Sequence, residues 1–112
     1  MKTFQELGID VETTKALREH GYEDPFPIQQ EAIPLMLKGL DVIGQAHTGT
    51  GKTAAFALPI LTKIKRRGPI QALILVPTRE LAVQVSAEIN KFAKYTGTRT
   101  VSIYGGQSIG IQ

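Results

Sequence analysis

The eight residues Ala46-His47-Thr48-Gly49-Thr50-Gly51-Lys52-Thr53 constrain this chain more than any other feature. They follow a short strand pattern, Asp41-Val42-Ile43-Gly44-Gln45-Ala46, and open a pattern that reads as helix from Gly51 to Arg67. Strand, glycine-rich bend and helix, in that order, are the context a phosphate-binding loop requires. Small residues let successive backbone N–H groups turn inward around an anion, and a helix beginning there directs its positive end at the same point. Gly49 and Gly51 supply the backbone freedom, with Thr48 and Thr50 between and beside them. Lys52 can then reach the β and γ phosphates of a nucleoside triphosphate as a point charge, and the Thr53 hydroxyl is placed to ligate Mg²⁺. The plain alternative is a glycine-rich turn with a surface lysine.

The rest of the chain reads as alternating elements. Val11 to His20 is an amphipathic helix with Asp10 as N-cap and Gly21 as its stop. Two prolines within three residues keep Gly21 to Pro27 a loop, and Pro27 then opens a second helix to about Lys38, closed by Gly39 and kinked at Pro34. The Gly51 to Arg67 helix is expected to kink at Pro59. Gln71 to Val76, apolar from Ala72 onward, reads as a strand covered on both faces. Arg79 to Tyr95 carries Leu81, Val85, Ile89 and Phe92 along one helical face, and Thr100 to Tyr104 reads as a third strand. Helices followed by β-α-β-α-β predict an α/β layered fold with parallel pairing.

Charge divides unevenly along this order. Residues 1 to 44 hold eight acids and four bases, a net −4, whereas residues 45 to 112 hold nine bases and two acids, a net +7. A basic second part suits an anionic partner, or else is a solvated face. With 112 residues the chain is long enough for one modest core, and it has no cysteine for disulfides or thiolate metal sites. No apolar stretch approaches the length of a membrane span, so no membrane partner is expected and the expected location is the cytoplasm.

Several segments together resemble the start of a DEAD-box ATP-dependent RNA helicase. The family's Q motif resembles Gly21-Tyr22-Glu23-Asp24-Pro25-Phe26-Pro27-Ile28-Gln29, with its upstream aromatic matched by Phe4. Motif I matches Ala46 to Thr53, motif Ia matches Pro77-Thr78-Arg79-Glu80-Leu81-Ala82, and the family's glycine pair matches Gly105-Gly106. His47 departs from the Gln or Arg usual at its place. The resemblance implies a partial RecA-like domain over residues 1–112, with 1–30 the Q-motif region and 31–112 the start of the phosphate-loop core. It implies ATP and Mg²⁺ as cofactors, Lys52 and Thr53 as catalytic residues, and a nucleotide site of Tyr22, Gln29 and Thr48 to Thr53. Pro77, Thr78, Arg79, Gly105 and Gly106 would meet the sugar-phosphate backbone of RNA.

Each assignment also has a physical content. The Gln29 amide donates and accepts together, so it can pair with adenine N6 and N7 and reject guanine; without the resemblance it is an ordinary helix-surface amide. Tyr22 either stacks on the base or packs in the core. Thr78 and Arg79 open a helix, where amides and a guanidinium converge on one anion site, or else form only a capped helix end. Hydrolysis also needs carboxylates for the metal and the attacking water. The three aspartates, Asp10, Asp24 and Asp41, follow no apolar strand, and no Asp-Glu-Ala-Asp segment occurs. The expectation is therefore the ATP- and RNA-binding part of a helicase without turnover of its own. Three alternatives stand beside it, a non-catalytic ATP- and RNA-binding module, another phosphate-loop NTPase, and a structural or interaction protein whose basic half is a passive face.

Overall fold

The computed structural model describes residues 2–45, 51–64 and 70–104. Four helices form there, α1 (Val11–Glu19), α2 (Pro27–Leu37), α3 (Lys52–Lys63) and α4 (Arg79–Phe92). Each begins where the local chemistry demands. Asp10 stays extended and its Oδ1 accepts from the Thr13 amide at 3.0 Å, so α1 starts one residue later. Pro27 occupies the first turn of α2, where its missing N–H costs nothing. The Thr78 hydroxyl accepts from the Leu81 amide at 3.1 Å and caps α4. α3 differs from the others, because its N-cap Gly51 is left-handed (φ +81°, ψ 29°), whereas Asp10, Phe26 and Thr78 enter their helices extended.

α3 is the centre of the molecule and packs against α1, α2 and α4. Its Ala54, Ala57, Leu58 and Leu61 are buried among Leu17 of α1, Ile33 of α2, and Val85, Ile89 and Phe92 of α4. Phe4, Leu7 and Ile9, from the turn before α1, close the same core. Phe4 is thus a packing anchor. A helix apolar around most of its circumference is stable only when covered on several sides, and these three helices and the leading turn provide that cover.

Two helices are shorter than their patterns predict. α3 ends at Lys63 rather than Arg67, since Ile64 is extended (φ −72°, ψ 137°), and residues 65–69 lie outside the described part. α4 ends at Phe92 rather than Tyr95, with the chain turning through Thr96, whose amide donates to the Ala93 carbonyl at 3.1 Å. α2 and α3 both run on through their prolines, Pro34 and Pro59.

The sheet is the larger difference. None of the three expected strands forms among the described residues, and the parallel sheet with helices on both faces is not present there. Ile43, Leu73, Leu75, Val101 and Ile103 are exposed, Ile43 and Leu75 by 95% and 85%. The expectation that 71–76 lies covered on both faces is therefore not met in these residues. The physical reason is that a strand gains its ladder and its burial from neighbours; without flanking strands, apolar alternation alone cannot hold one.

Among the described residues one buried side-chain polar atom has no partner. Thr13 is fully buried and its Oγ1 makes no hydrogen bond among the described residues. Removing a buried hydroxyl that has no partner, with a side chain of the same shape, relieves its desolvation cost. Thr13→Val is expected to raise stability by about 0.5–1 kcal/mol, read as a higher midpoint in thermal melts; a lower midpoint would show that the hydroxyl is satisfied in solution.

Candidate nucleotide and RNA site

The Q-like segment and the start of α3 are joined by one side chain. Gln29, on the first turn of α2, is fully buried rather than on the helix surface. Its Oε1 accepts from the Phe26 amide at 2.9 Å, and its Nε2 donates to the Gly51 carbonyl at 3.0 Å. Gly51 holds φ +81°, and the Gly51 carbonyl also receives the Ala55 amide of α3 at 3.1 Å. The amide that sequence reasoning offered to adenine thus spends one donor and one acceptor on holding the loop exit. One N–H and one lone pair remain to it.

Gly51, Lys52 and Thr53 are the described part of the expected phosphate loop; Ala46, His47, Thr48, Gly49 and Thr50 lie outside the described residues. Lys52 is exposed and Thr53 half-buried, both on the first turn of α3. The leading amides of this helix have no side-chain cap at Gly51, so a group with acceptor oxygens can satisfy them. Among the described residues no three His, Asp or Glu side chains gather as a metal cluster. The Thr53 hydroxyl, on the first turn of α3, is an oxygen donor of the kind a hard cation such as Mg²⁺ takes.

Beside Phe26 lies a cleft of about 450 Å³, bordered by His20, Tyr22, Glu23, Asp24, Phe26 and Lys91. Phe26 links it to Gly51, since a Cβ on Gly51 would lie 2.7 Å from Phe26 Cδ2. Tyr22 is half-buried at the cleft and meets the Phe92 ring edge to face, with centroids 5.4 Å apart at 83°. Lys91 Nζ donates to the Tyr22 hydroxyl at 3.2 Å and lies 3.4 Å from Glu88 Oε1. Burial opposes its charge, but the Tyr22 hydroxyl and Glu88 together outweigh it and hold the Lys91 ammonium above the ordinary lysine range.

The second expected site lies at the other end of α4. Pro77, Thr78 and Arg79 are all exposed there, and the Arg79 guanidinium sits 5.6 Å from the Tyr104 ring centroid. Gly105 and Gly106, which follow Tyr104, lie outside the described residues. The structure therefore brings Tyr22, Gln29 and Gly51 to one side through Phe26, and sets Arg79 at the far end of a 14-residue helix from Lys91. Sequence reasoning missed Lys91 and Tyr104. Tyr104 could have been found from its place immediately before the glycine pair. Lys91 lies 69 residues from Tyr22 and carries no local signal.

A separate staple ties α1 to the turn after α4. Lys94 Nζ lies 2.8 Å from Glu19 Oε1, and Tyr95 donates its hydroxyl to the other Glu19 oxygen. These two donors hold the Glu19 carboxyl below its ordinary range.

Comparison with known proteins gives the family. A family model described as DEAD/DEAH box helicase matches residues 26–112. The DEAD-box ATP-dependent RNA helicase RhpA of Helicobacter pylori is 54% identical over 107 residues, covering 96% of this chain and 22% of that protein. CshA of Geobacillus kaustophilus, likewise a DEAD-box ATP-dependent RNA helicase, is 53% identical over 97% of this chain and 24% of its own length. Among solved structures, a DEAD box protein from Methanococcus jannaschii superimposes with TM-score 0.85 at 40% identity, covering 97% of this chain and 30% of that one. The RNA helicase Prp28 from Chaetomium thermophilum, bound to ADP, gives 0.86 at 43%, covering all of this chain and 29% of that one. The chain spans less than a quarter of the length of these two curated relatives. Motif order, the joined Gln29 and Gly51, and this agreement over most of its residues all lead to one statement: the chain belongs to the DEAD/DEAH box helicase family.

Proposed function

We propose that this chain supplies nucleotide- and RNA-backbone contacts of an ATP-dependent RNA helicase, the activity named for RhpA and CshA. The observation that carries this reading is the Gln29 amide, which ties the Phe26 amide of the Q-like loop to the Gly51 carbonyl at the head of α3. A base-side segment and a phosphate-side helix are thereby held as one unit, which suits a nucleotide lying across both. Tyr22 and Gln29 would face the adenine, and Thr48 to Thr53 the phosphates. Lys52 and Thr53 would be the catalytic contacts, with Mg²⁺ held by Thr53 and the phosphates.

When bound, Mg²⁺ supplies charge neutralisation between the β and γ phosphates. The chain's own contributions are the amides of the α3 first turn, the Lys52 ammonium, and a base cleft floored by Tyr22 and Phe26. Pro77, Thr78, Arg79, Gly105 and Gly106 would hold RNA by its backbone, without reading sequence. Residues 1–112 would belong to a RecA-like domain, 1–30 its Q-motif region and 31–112 the start of its phosphate-loop core. Residues 41–46, 71–76 and 100–104 would then pair in a parallel sheet once neighbouring strands are supplied. No described helix is long and apolar enough to cross a membrane. The 112 residues lack an Asp-Glu-Ala-Asp segment and hold only half of the site, so alone they would bind ATP weakly at best and not hydrolyse it.

Titration with a fluorescent ATP analogue in Mg²⁺ tests this. Replacing a charged phosphate contact costs about 1.5–3 kcal/mol, so Lys52→Ala should weaken binding roughly 10- to 100-fold. Unchanged affinity in Lys52→Ala, or ATP hydrolysis by the purified chain that Lys52→Ala abolishes, would overturn the respective part of the proposal.

A further inference from the structure

The Tyr22 ring is fixed by two groups from the last turn of α4, through three contacts. Phe92 meets it edge to face at 5.4 Å, Lys91 Nζ donates to its hydroxyl at 3.2 Å, and the same ammonium lies 5.0 Å from its ring centroid. Lys91 is itself held, because Glu88, one turn earlier on the same helix, places a carboxylate oxygen 3.4 Å from Nζ. The position also suits a cation, since the carbonyl end of a helix is the negative end of its dipole. The Tyr22 amide donates to the Leu17 carbonyl at 2.9 Å, which fixes its backbone but leaves the side-chain torsions to be set by what the ring touches. Phe92 is in the core and cannot follow a swing of the ring. What stops the hydroxyl end from moving is therefore the Lys91 hydrogen bond.

We propose that Lys91 is a positioning residue for nucleotide recognition: it pins the Tyr22 ring against Phe92, so that the ring face left open to the cleft is presented to a purine base. This rests on the reading that the cleft beside Phe26 takes the base of ATP. Stacking on an aromatic face is rewarded in proportion to overlap, so a purine profits more than a pyrimidine. Fixing the ring before binding removes an ordering cost that the ligand would otherwise bear. Lys91 does not touch the base in this scheme; it acts through Tyr22. The cleft has room for a base, at about 450 Å³.

Five chains decide the matter: the wild type, Lys91→Met, Lys91→Arg, Tyr22→Phe and the double variant of Lys91→Met with Tyr22→Phe, each titrated with a fluorescent ATP analogue and competed with ATP and CTP. Lys91→Met keeps the aliphatic stem and loses the donor. It is expected to weaken ATP roughly three- to tenfold and CTP less, narrowing the preference for the purine. Lys91→Arg should restore ATP binding to near the wild-type value. In the Tyr22→Phe chain, which lacks the hydroxyl, adding Lys91→Met should change ATP affinity by less than about twofold, because the pinning bond is already gone. A structural role alone would lower the melting midpoint without moving the ATP to CTP ratio. Equal ATP affinity in Lys91→Met and wild type, or the same loss in the Tyr22→Phe background, overturns the role of Lys91 while leaving the base cleft standing. A wild-type chain that binds no ATP analogue at millimolar concentration overturns the cleft reading, and this inference with it.

Discussion

Gly51→Ala melts roughly 10 to 20 °C below the wild type, the largest effect expected of any single methyl group in this chain. Two costs combine. At φ +81° an alanine bears the left-handed penalty of about 1 kcal/mol. The new Cβ would also collide with Gln29 Nε2 and stand 2.7 Å from Phe26 Cδ2. A side-chain end can usually step aside, but Gln29 is fully buried and bonded at both ends of its amide, so relief requires breaking the Gly51 bond. Overpacking of this kind adds about 1–3 kcal/mol. Gly21→Ala is the matched control, since Gly21 has φ +80° and nothing within 4 Å of an added Cβ. It should lose only the backbone cost. Equal melting midpoints for the two variants would show that the collision is absorbed and that Gly51 and Gln29 are not closely joined.

The second large effect belongs to Gln29 itself. Gln29→Ala leaves the Phe26 amide without its acceptor, opens a cavity beside Gly51, and should cost about 2–4 kcal/mol in denaturant unfolding. The Gly51 carbonyl suffers less, because it keeps the Ala55 amide. Gln29→Glu separates the two halves of the bridge. Its carboxylate can still accept from Phe26, but it turns a second oxygen toward the Gly51 carbonyl. Burial and that carbonyl both disfavour the charged form, so the folded-state value of the new carboxyl rises above its unfolded one. Such a group is best tolerated below the unfolded value and loses stability as pH rises through the folded one. Gln29→Glu should therefore approach wild-type stability in acid, where the protonated carboxyl donates to Gly51, and fall away toward neutral pH. A pH-independent deficit would mean that the Nε2 to Gly51 bond is not formed in solution.

Much of the local structure was legible because it depends on neighbours in sequence. Asp10, Thr78 and Pro27 begin their helices as their chemistry requires, and Val85, Ile89 and Phe92 face the core as their spacing predicts. Helix ends were less legible. Nothing in Lys63-Ile64 or Phe92-Ala93 marks a stop, and termination there depends on what the next residues pack against. The strands failed for a different reason. Ala72-Leu73-Ile74-Leu75-Val76 is apolar enough for a sheet interior, yet Leu73 and Leu75 are exposed because a ladder needs partners that alternation cannot supply.

The sequence by itself determined the order of the motifs, the glycine at the head of α3 and the family to which they belong, since these depend on residue type and spacing alone. Tertiary structure alone decided that Gln29 is buried and bonded to Gly51, that Tyr22 rests on Phe92 and Lys91, and that Arg79 lies over Tyr104. Those pairs stand 22, 70, 69 and 25 positions apart in the chain. Contacts at such separation arise from the docking of whole helices around α3, and no periodicity along the chain encodes which side chains then meet.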